Sequence, residues 1–438
     1  MRRFVDVITM GCSKNLVDSE RLLYQLHVGG FRVFHNPKKV HHDVVIVNTC
    51  GFINDAKEES IDMILGLCRQ KQEGRINALY VTGCLSERFM DDLLKEVPEV
   101  DKYYGKFDYG RLLNDLGLKC GANYATHRLQ TTPRHYAYVK ISEGCDRGCA
   151  YCTIPLITGK HQSRRMEEIV EEVKVLSENK VRELQVVAQE LTYYGIDLYE
   201  KRMIAELVEK ISAVKGIKWI RLHYGYPSGF PDDLIRVMSK RPNVCKYMDI
   251  ALQHASDKIL KSMRRHTTKE EQMHLIKKLR EEVPGIALRT TMMVGYPGEG
   301  DAEFEELIDF VKWARFEHLG AFIYSEEEGT WAAANLRDSV PMEVKRARFE
   351  RLMEVQQGIS REIGEGRRGK VLPVVIDRRE NEYYVGRTEY DSPEVDGEVY
   401  VSAGPDHLLR RGEFYNVKIT GSDEYDLYGD CMEHIPNE

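Results

Sequence analysis

No stretch of the 438-residue chain reaches the roughly 18 apolar residues that a membrane-spanning helix needs, so no membrane partner is expected. No secretory leader is expected either. RRFVDVITMG enters a strand-like pattern at once, which predicts a cytoplasmic protein. The chain also lacks a basic excess: 63 Lys and Arg stand against 70 Asp and Glu, a formal charge of −7. That balance argues against a protein that simply coats nucleic acid. What remains is a soluble, globular composition, 42% apolar and 30% charged, with length for two or three domains. In a reducing compartment the ten cysteines are not expected to pair, so their clusters point to metal.

Periodicity divides the chain into three parts. Residues 1–118 alternate short β-branched runs (Val5–Met10, Val44–Asn48, Ala78–Thr82) with amphipathic stretches such as Asn15–His27 and Asp55–Cys68. That alternation predicts a parallel α/β domain with crossover helices. Residues 119–134 lose periodicity and read as a linker. A second alternation fills residues 131–365, with strands expected at Tyr136–Ile141, Glu183–Ala188, Lys218–His223, Tyr247–Leu252, Ala287–Val294 and Leu319–Tyr324. Six βα units predict a partial TIM-type barrel, closed off by a charged connector helix over Val344–Ile363. From residue 367 to 438 the period changes to two (VLPVVID, EYYVGRT, EVYVS, FYNVKITG), which predicts a small antiparallel β-barrel.

Cys145, Cys149 and Cys152 lie within eight residues in SEGCDRGCAYC, and the set stops at three. A structural zinc site wants four protein ligands. Three thiolates on a four-iron cubane leave one iron open, and an open iron can chelate the amino and carboxylate groups of S-adenosylmethionine (SAM). The N-terminal domain holds a second trio. Cys12, Cys50 and Cys84 each follow an expected strand (VITMGC, VIVNTC, YVTGC), and ligands of parallel sheets gather beyond the carboxyl ends of strands. Gly11, Gly51 and Gly83 adjoin them and permit close backbone approach. Two 4Fe–4S clusters are therefore expected. Cys68, Cys120, Cys245 and Cys431 read as non-ligands: Cys68 on an apolar helix face, Cys245 just before a strand, Cys120 and Cys431 in turn-like segments.

Polar residues at the expected strand ends are the natural SAM contacts of a barrel rim. These are Gln189 and Glu190 after the second strand, His223 at the end of the third, Gln253 after the fourth, and Gly295 after the fifth, where adenosine could pack on backbone. Arg164 and Arg165 are candidates for holding a carboxylate.

At these residues the chain resembles the methylthiotransferase family of radical SAM enzymes over nearly its whole length. It is most similar to the branch that modifies an aspartate of small-subunit ribosomal protein S-twelve. The matching stretches are MGCSKNLVDSE (10–20), CGFINDAKEES (50–60), YAYVKISEGCDRGC (136–149), YSEEEGT (324–330) and GRTEYDSPEVDG (386–397). Two positions depart from the family pattern: Thr158, where Arg is usual, and Ala251, where Pro is usual. The resemblance implies a radical SAM barrel followed by a TRAM-like domain. It assigns Cys145, Cys149 and Cys152 to the SAM cluster and Cys12, Cys50 and Cys84 to an auxiliary one. It further implies a reducing electron donor, a radical formed from SAM, and sulfur delivered to the aspartate β-carbon, with the N-terminal domain over the barrel mouth. Charge supports a protein substrate. Residues 367–438 carry 9 basic and 16 acidic side chains, the whole net charge of the chain, which suits a basic ribosomal protein better than RNA. Asp391, Glu394 and Asp396 are the expected contacts for it. A transfer-RNA methylthiotransferase and a non-catalytic, ribosome-bound iron–sulfur sensor are the alternatives.

Overall fold

The computed structural model describes residues 3–119, 121, 124–404 and 408–436; Cys120 lies outside them. The first sheet is wholly parallel, in the order β2 (Arg32–His35), β1 (Phe4–Thr9), β3 (Val44–Thr49), β4 (Ala78–Gly83) and β5 (Lys102–Tyr103). Every residue of β3 is buried, because helices cover both faces of a central parallel strand and VVIVNT has no face to give to water. The order reverses between β1 and β3, and at such a switch point a crevice opens beyond the strand ends.

Six parallel strands form the second sheet. In chain order they are β6 (Tyr136–Lys140), β9 (Glu183–Val187), β10 (Trp219–Gly225), β11 (Val244–Gln253), β12 (Ala287–Val294) and β13 (His318–Ile323), each neighbouring the next. A short antiparallel pair, β7 (Ser142–Glu143) with β8 (Gln162–Ser163), brackets the three-cysteine loop. This is the open (βα)6 barrel expected. One of its helices, Asp232–Lys240, carries a strong apolar face that the sequence reading passed over. The connector helix, Met342–Glu365, packs on β13 at the open edge.

The terminal barrel closes as β14 (Val371–Glu380), β15 (Tyr383–Thr388), β16 (Val399–Ser402), β18 (Leu427–Ile435) and β17 (Phe414–Ser422). Two corrections follow. The barrel is not purely antiparallel, since β16 and β18 pair in parallel. Cys431 sits in strand β18 rather than in a turn; LYGDCMEHI buries only Leu427 and Gly429, too few to show an alternating pattern. Cys245 likewise lies inside β11, buried beside Trp219 and Phe414.

The terminal domain also stoppers the lower, amino-terminal end of the barrel strands. Arg221 of β10 donates to the Glu389 carbonyl at 2.5 Å and pairs with Glu183 at 3.1 Å. Tyr247 of β11 and Arg289 of β12 donate to Asp396 at 2.8 and 3.2 Å. Tyr136 and Tyr138 of β6 donate to the two oxygens of Glu394, each at 3.1 Å, and His318 of β13 stands 3.4 Å from Asp391. Asp391 and Asp396 are thus spent inside the molecule on the barrel's own cations and phenols, while Glu394, though exposed, has both oxygens engaged by the phenols, so the trio is not a free outward face for a partner. Among the described residues no helix is long and apolar enough to cross a membrane.

Candidate active site

The three N-terminal cysteines follow β1, β3 and β4, so the parallel sheet brings their loops to one edge. Two glycines make the approach possible. Gly11, at φ +82°, lies so close to Cys50 that an added Cβ would stand 2.7 Å from its Sγ. At Gly51 the same atom would meet Leu85 Cα at 2.7 Å. Asn15, which the sequence reading gave no role, ties the loops together. Its Nδ2 donates to the carbonyls of Met10 (3.2 Å) and Thr49 (3.0 Å), and its Oδ1 accepts from Lys106 Nζ at 3.1 Å and from the Cys84 thiol at 3.5 Å.

The three thiols feel one another electrostatically. Burial, with Cys12 and Cys50 adding to it against Lys106, pushes the Cys84 thiol up to about 12. Burial also raises Cys50. Cys12 is exposed, yet the protein packed around it works against its thiolate. Lys14, the Asn15 and Lys14 backbone N–H groups, and Lys106 outweigh that and lower it.

The second trio lies on the loop after β7. Cys152 N–H donates to the Cys149 carbonyl at 3.1 Å, Cys145 N–H to the Gly159 carbonyl at 3.3 Å, and Ala150 N–H to the Met263 carbonyl at 2.9 Å. Burial raises Cys145 and Cys152 to about 12, and Cys149 adds to both. Arg265 donates to Cys149 Sγ at 3.4 Å and to the Ala251 carbonyl, with its guanidinium 4.1 Å from the Tyr226 ring. Arg147 is clamped between the rings of Tyr193 (3.8 Å) and Tyr226 (3.9 Å).

The rim candidates divide. Glu190 accepts from Arg147 Nη2 at 3.3 Å and from Thr192 N–H at 2.8 Å, so it holds the cysteine loop. Gln189 Nε2 donates to Glu143, while its Oε1 is buried without a partner. His223 is in the barrel interior, 2.8 Å from Gln185 Oε1; burial, with Arg221, Arg289 and Lys14, drops its basicity well below the ordinary range and keeps it neutral. Gln253 ends β11 in a left-handed conformation, φ +72°. Gly295 does not offer open backbone: the Lys345 side chain fills the space a Cβ would take, and Glu299 accepts its N–H at 3.0 Å. Arg164 does bind a carboxylate, but an internal one, Glu172 at 2.6 Å. Thr158 closes a short helix turn on the Ile154 carbonyl at 3.1 Å.

A chain of buried charges joins the two trios. Lys106 lies 3.2 Å from Asp18; Lys140, at the end of β6, contacts Asp18 and stands 2.6 Å from Glu143, the residue next but one to Cys145. Burial opposes the Asp18 charge, yet Lys140 and Lys106 hold that carboxyl at about 2. Asn15 and Asp18 of MGCSKNLVDSE reach the cysteines and this junction, but nothing in the motif by itself says what Lys14, Asn15 or Asp18 would meet. The domains close over the mouth through Asn54 to Glu327 (3.0 Å) and Ser325 (2.8 Å), Lys57 to Glu327 (2.8 Å), and Thr153 to the Phe52 carbonyl (3.1 Å).

Both trios suit a cubane better than a single ion. Each supplies three thiols, the donor number that leaves one iron of a cubane open, where a closed single-ion site wants four ligands. A positive donor on Cys149 and an orphaned acceptor at Gln189 fit a negatively charged cluster and a polar ligand beside it.

Family models match three segments: residues 5–105 "Uncharacterized protein family UPF0004", residues 139–311 "Radical SAM superfamily", and residues 369–432 "TRAM domain". The chain is 57% identical over 431 residues to the ribosomal protein uS12 methylthiotransferase RimO of Bacteroides fragilis, covering 98% of this chain and 100% of that one. It is 49% identical to the Flavobacterium johnsoniae protein of the same name, covering 97% of each. Among solved structures it resembles the radical SAM methyltransferase TsrM of Kitasatospora setae (TM-score 0.54, 13% identity, 73% of this chain and 72% of that one). It also resembles the cobalamin-dependent radical enzyme OxsB (TM-score 0.53, 12% identity, 82% of this chain and 56% of that one). Both likenesses speak to the fold alone.

Proposed function

The chain belongs to the RimO family of ribosomal protein uS12 methylthiotransferases, and from that premise we propose how its residues attach a methylthio group to the β-carbon of an aspartate in uS12. The observation that carries the reading is the pair of three-cysteine sets opening on one inter-domain cleft, joined by Lys106, Asp18, Lys140 and Glu143. Cys145, Cys149 and Cys152 hold the 4Fe–4S cluster of a radical SAM enzyme, and Cys12, Cys50 and Cys84 hold a second. When bound, the clusters and SAM supply a carbon-centred radical, the sulfur atom and the methyl group.

The protein's own residues orient and seal. Arg147, fixed by two tyrosine rings and Glu190, holds the cysteine loop in one shape. Gln189, with its free Oε1, and Gln253 offer polar contacts to SAM, while neutral His223 adds no further positive charge to that of Arg221 and Arg289. The contacts of Glu327 with Asn54 and Lys57 close the mouth, which keeps the reacting groups in place and limits the entry of other molecules. Outside the barrel plug, Glu382, Asp430 and Glu433 leave the terminal domain an exposed acidic side for a basic ribosomal protein. A ribosomal substrate supports a cytoplasmic enzyme, and reduction of its clusters calls for an electron donor.

Anaerobic reconstitution tests the cysteine roles. The intact chain is expected to take up about eight irons, and Cys145→Ala/Cys149→Ala/Cys152→Ala about four. Cys50→Ala is expected to cleave SAM without methylthiolating uS12. A wild-type maximum of four irons rules out the second cluster.

A further inference from the structure

Three lysines converge on the cleft between the cysteine sets, and they are not equivalent. Lys106 and Lys140 share Asp18 and Glu143. Lys14 has no such partner: among the described residues no ion pair within 4 Å reaches its Nζ, although the residue is only 9% exposed. Its ammonium instead rests 3.6 Å from the centre of the Tyr224 ring. Tyr224 holds this ammonium through its ring and a side-chain hydrogen bond, and of the three N–H donors others remain for another acceptor.

Tyr224 is unusual in its own right. It lies near the carboxyl end of β10, at the barrel mouth, with φ +64°, a left-handed conformation that a bulky residue rarely adopts. Such strain persists where the surroundings over-determine it and gathers at functional sites. Here it accompanies a ring that lies against Lys14. The result is a buried, aromatic-backed cation between the two cysteine sets with no ion-paired carboxylate within 4 Å among the described residues; Cys12 and Glu143 are the negative groups it feels from further off.

We propose that Lys14 is a specificity-determining residue that pairs with the side-chain carboxylate of the substrate aspartate as it enters the cleft. This rests on the uS12 reading above. The carboxylate adjoins the carbon that is modified, so pairing it with a cation fixed from behind by Tyr224 holds that carbon in one place. The same contact selects for an acidic residue: an amide in its place leaves the buried cation unpaired.

The test uses the full reconstituted chain and two peptides that span the modified segment of uS12, one with the target Asp and one with Asn. Binding is measured by fluorescence anisotropy, with iron content determined on the same samples. Wild type is expected to prefer the Asp peptide by about tenfold or more, as close charge pairs do in protein complexes. Lys14→Met is expected to bind both peptides alike, and Lys14→Arg to recover part of the preference. Carbodiimide coupling of the Asp peptide to the wild-type protein gives a readout that needs no variant: mass spectrometry is expected to find the amide at Lys14. A tenfold preference that survives in Lys14→Met overturns the proposal, as does coupling at Lys106 or Lys140 instead. Equal wild-type affinity for both peptides does so too, and would leave Lys14 only to balance the charge of nearby Cys12. If the wild-type protein cannot methylthiolate uS12 at all, the functional reading itself fails; if it can, only the role of Lys14 is at stake.

Discussion

At the scale of single residues, the site is tuned by side chains that touch the cysteines without being able to replace them. Arg265 is the clearest case, with one arm on Cys149 Sγ at 3.4 Å and the other on the Ala251 carbonyl. A positive donor at a thiolate favours the reduced, more negative state of whatever the thiolates hold. Arg265→Met is therefore expected to lower the midpoint potential of the barrel cluster by roughly 60 mV, the one-electron equivalent of about 1.4 kcal/mol, with Arg265→Lys losing less. Redox titration followed by electron paramagnetic resonance measures it; an unchanged potential would remove Arg265 from the tuning of this site. Ala251 contributes only its carbonyl, which the proline usual at that position would also present.

At the scale of elements, the junction of the N-terminal domain, the linker and the barrel is held by Glu172 on the helix Met166–Glu178. Arg164 at 2.6 Å, Arg21 at 3.2 Å and Arg128 at 3.5 Å surround its carboxylate. Burial would raise that carboxyl, but Arg164, Arg128 and Arg21 hold it down at about 2. The segment that looked like a plain linker is thus a structural strap. It also carries Thr131, whose hydroxyl donates to Glu20 at 2.9 Å. Glu172→Ala leaves buried guanidinium groups unpaired and is expected to cost about 3–5 kcal/mol. The first thermal transition, followed by tryptophan fluorescence, should fall accordingly. Because the folded pKa lies below the unfolded one, Glu172 stabilises above about pH 4.3 and loses its contribution as pH drops toward 2. A variant as stable as wild type at pH 7 would show that the arginines find other partners.

At the scale of the whole molecule, the terminal barrel plugs the bottom of the central one, while the N-terminal domain covers the top. The plug carries its own pH dependence. Burial works against charging His318, yet Asp396 and Asp391 outweigh it and Arg367, and raise its pKa. Stability from this contact is therefore complete below about pH 6.5, the unfolded value, and is lost as pH rises through the raised folded value. Asp391 is held at about 2, so its share persists down to that range. Hydrogen exchange of residues 386–397 should quicken from pH 6 to pH 9 beyond the intrinsic chemical rate, and His318→Asn should abolish the difference. Identical protection at both pH values in wild type would mean that the histidine is neutral throughout. The outward acidity of the terminal domain makes a second claim at this scale. Glu382→Gln/Asp430→Asn/Glu433→Gln should raise the KM for uS12 a few-fold at low salt and less at high salt, because such charges are screened over about 8 Å at physiological ionic strength.

The amino-acid sequence by itself determined the three-part architecture, the parallel order of strands and helices, and both cysteine sets. These are written in short-range pattern: period, spacing, and the glycines that let strand-end loops approach. It also placed Glu190 at the rim, though not its attachment to Arg147. Only the tertiary structure decided where charges pair. Asp391, Glu394 and Asp396 look like free surface acids in GRTEYDSPEVDG, but folding sets them against Arg289, Tyr136, Tyr138, Tyr247 and His318, residues between roughly 70 and 260 positions away. Lys14 and Asp18 look alike in the motif as helix-start charges, yet one meets two lysines and the other a tyrosine ring from the far side of the cleft. Local pattern fixes which elements form because it depends on neighbours in sequence. The partner of a buried charge is set by which elements the fold packs together, and no local period encodes that.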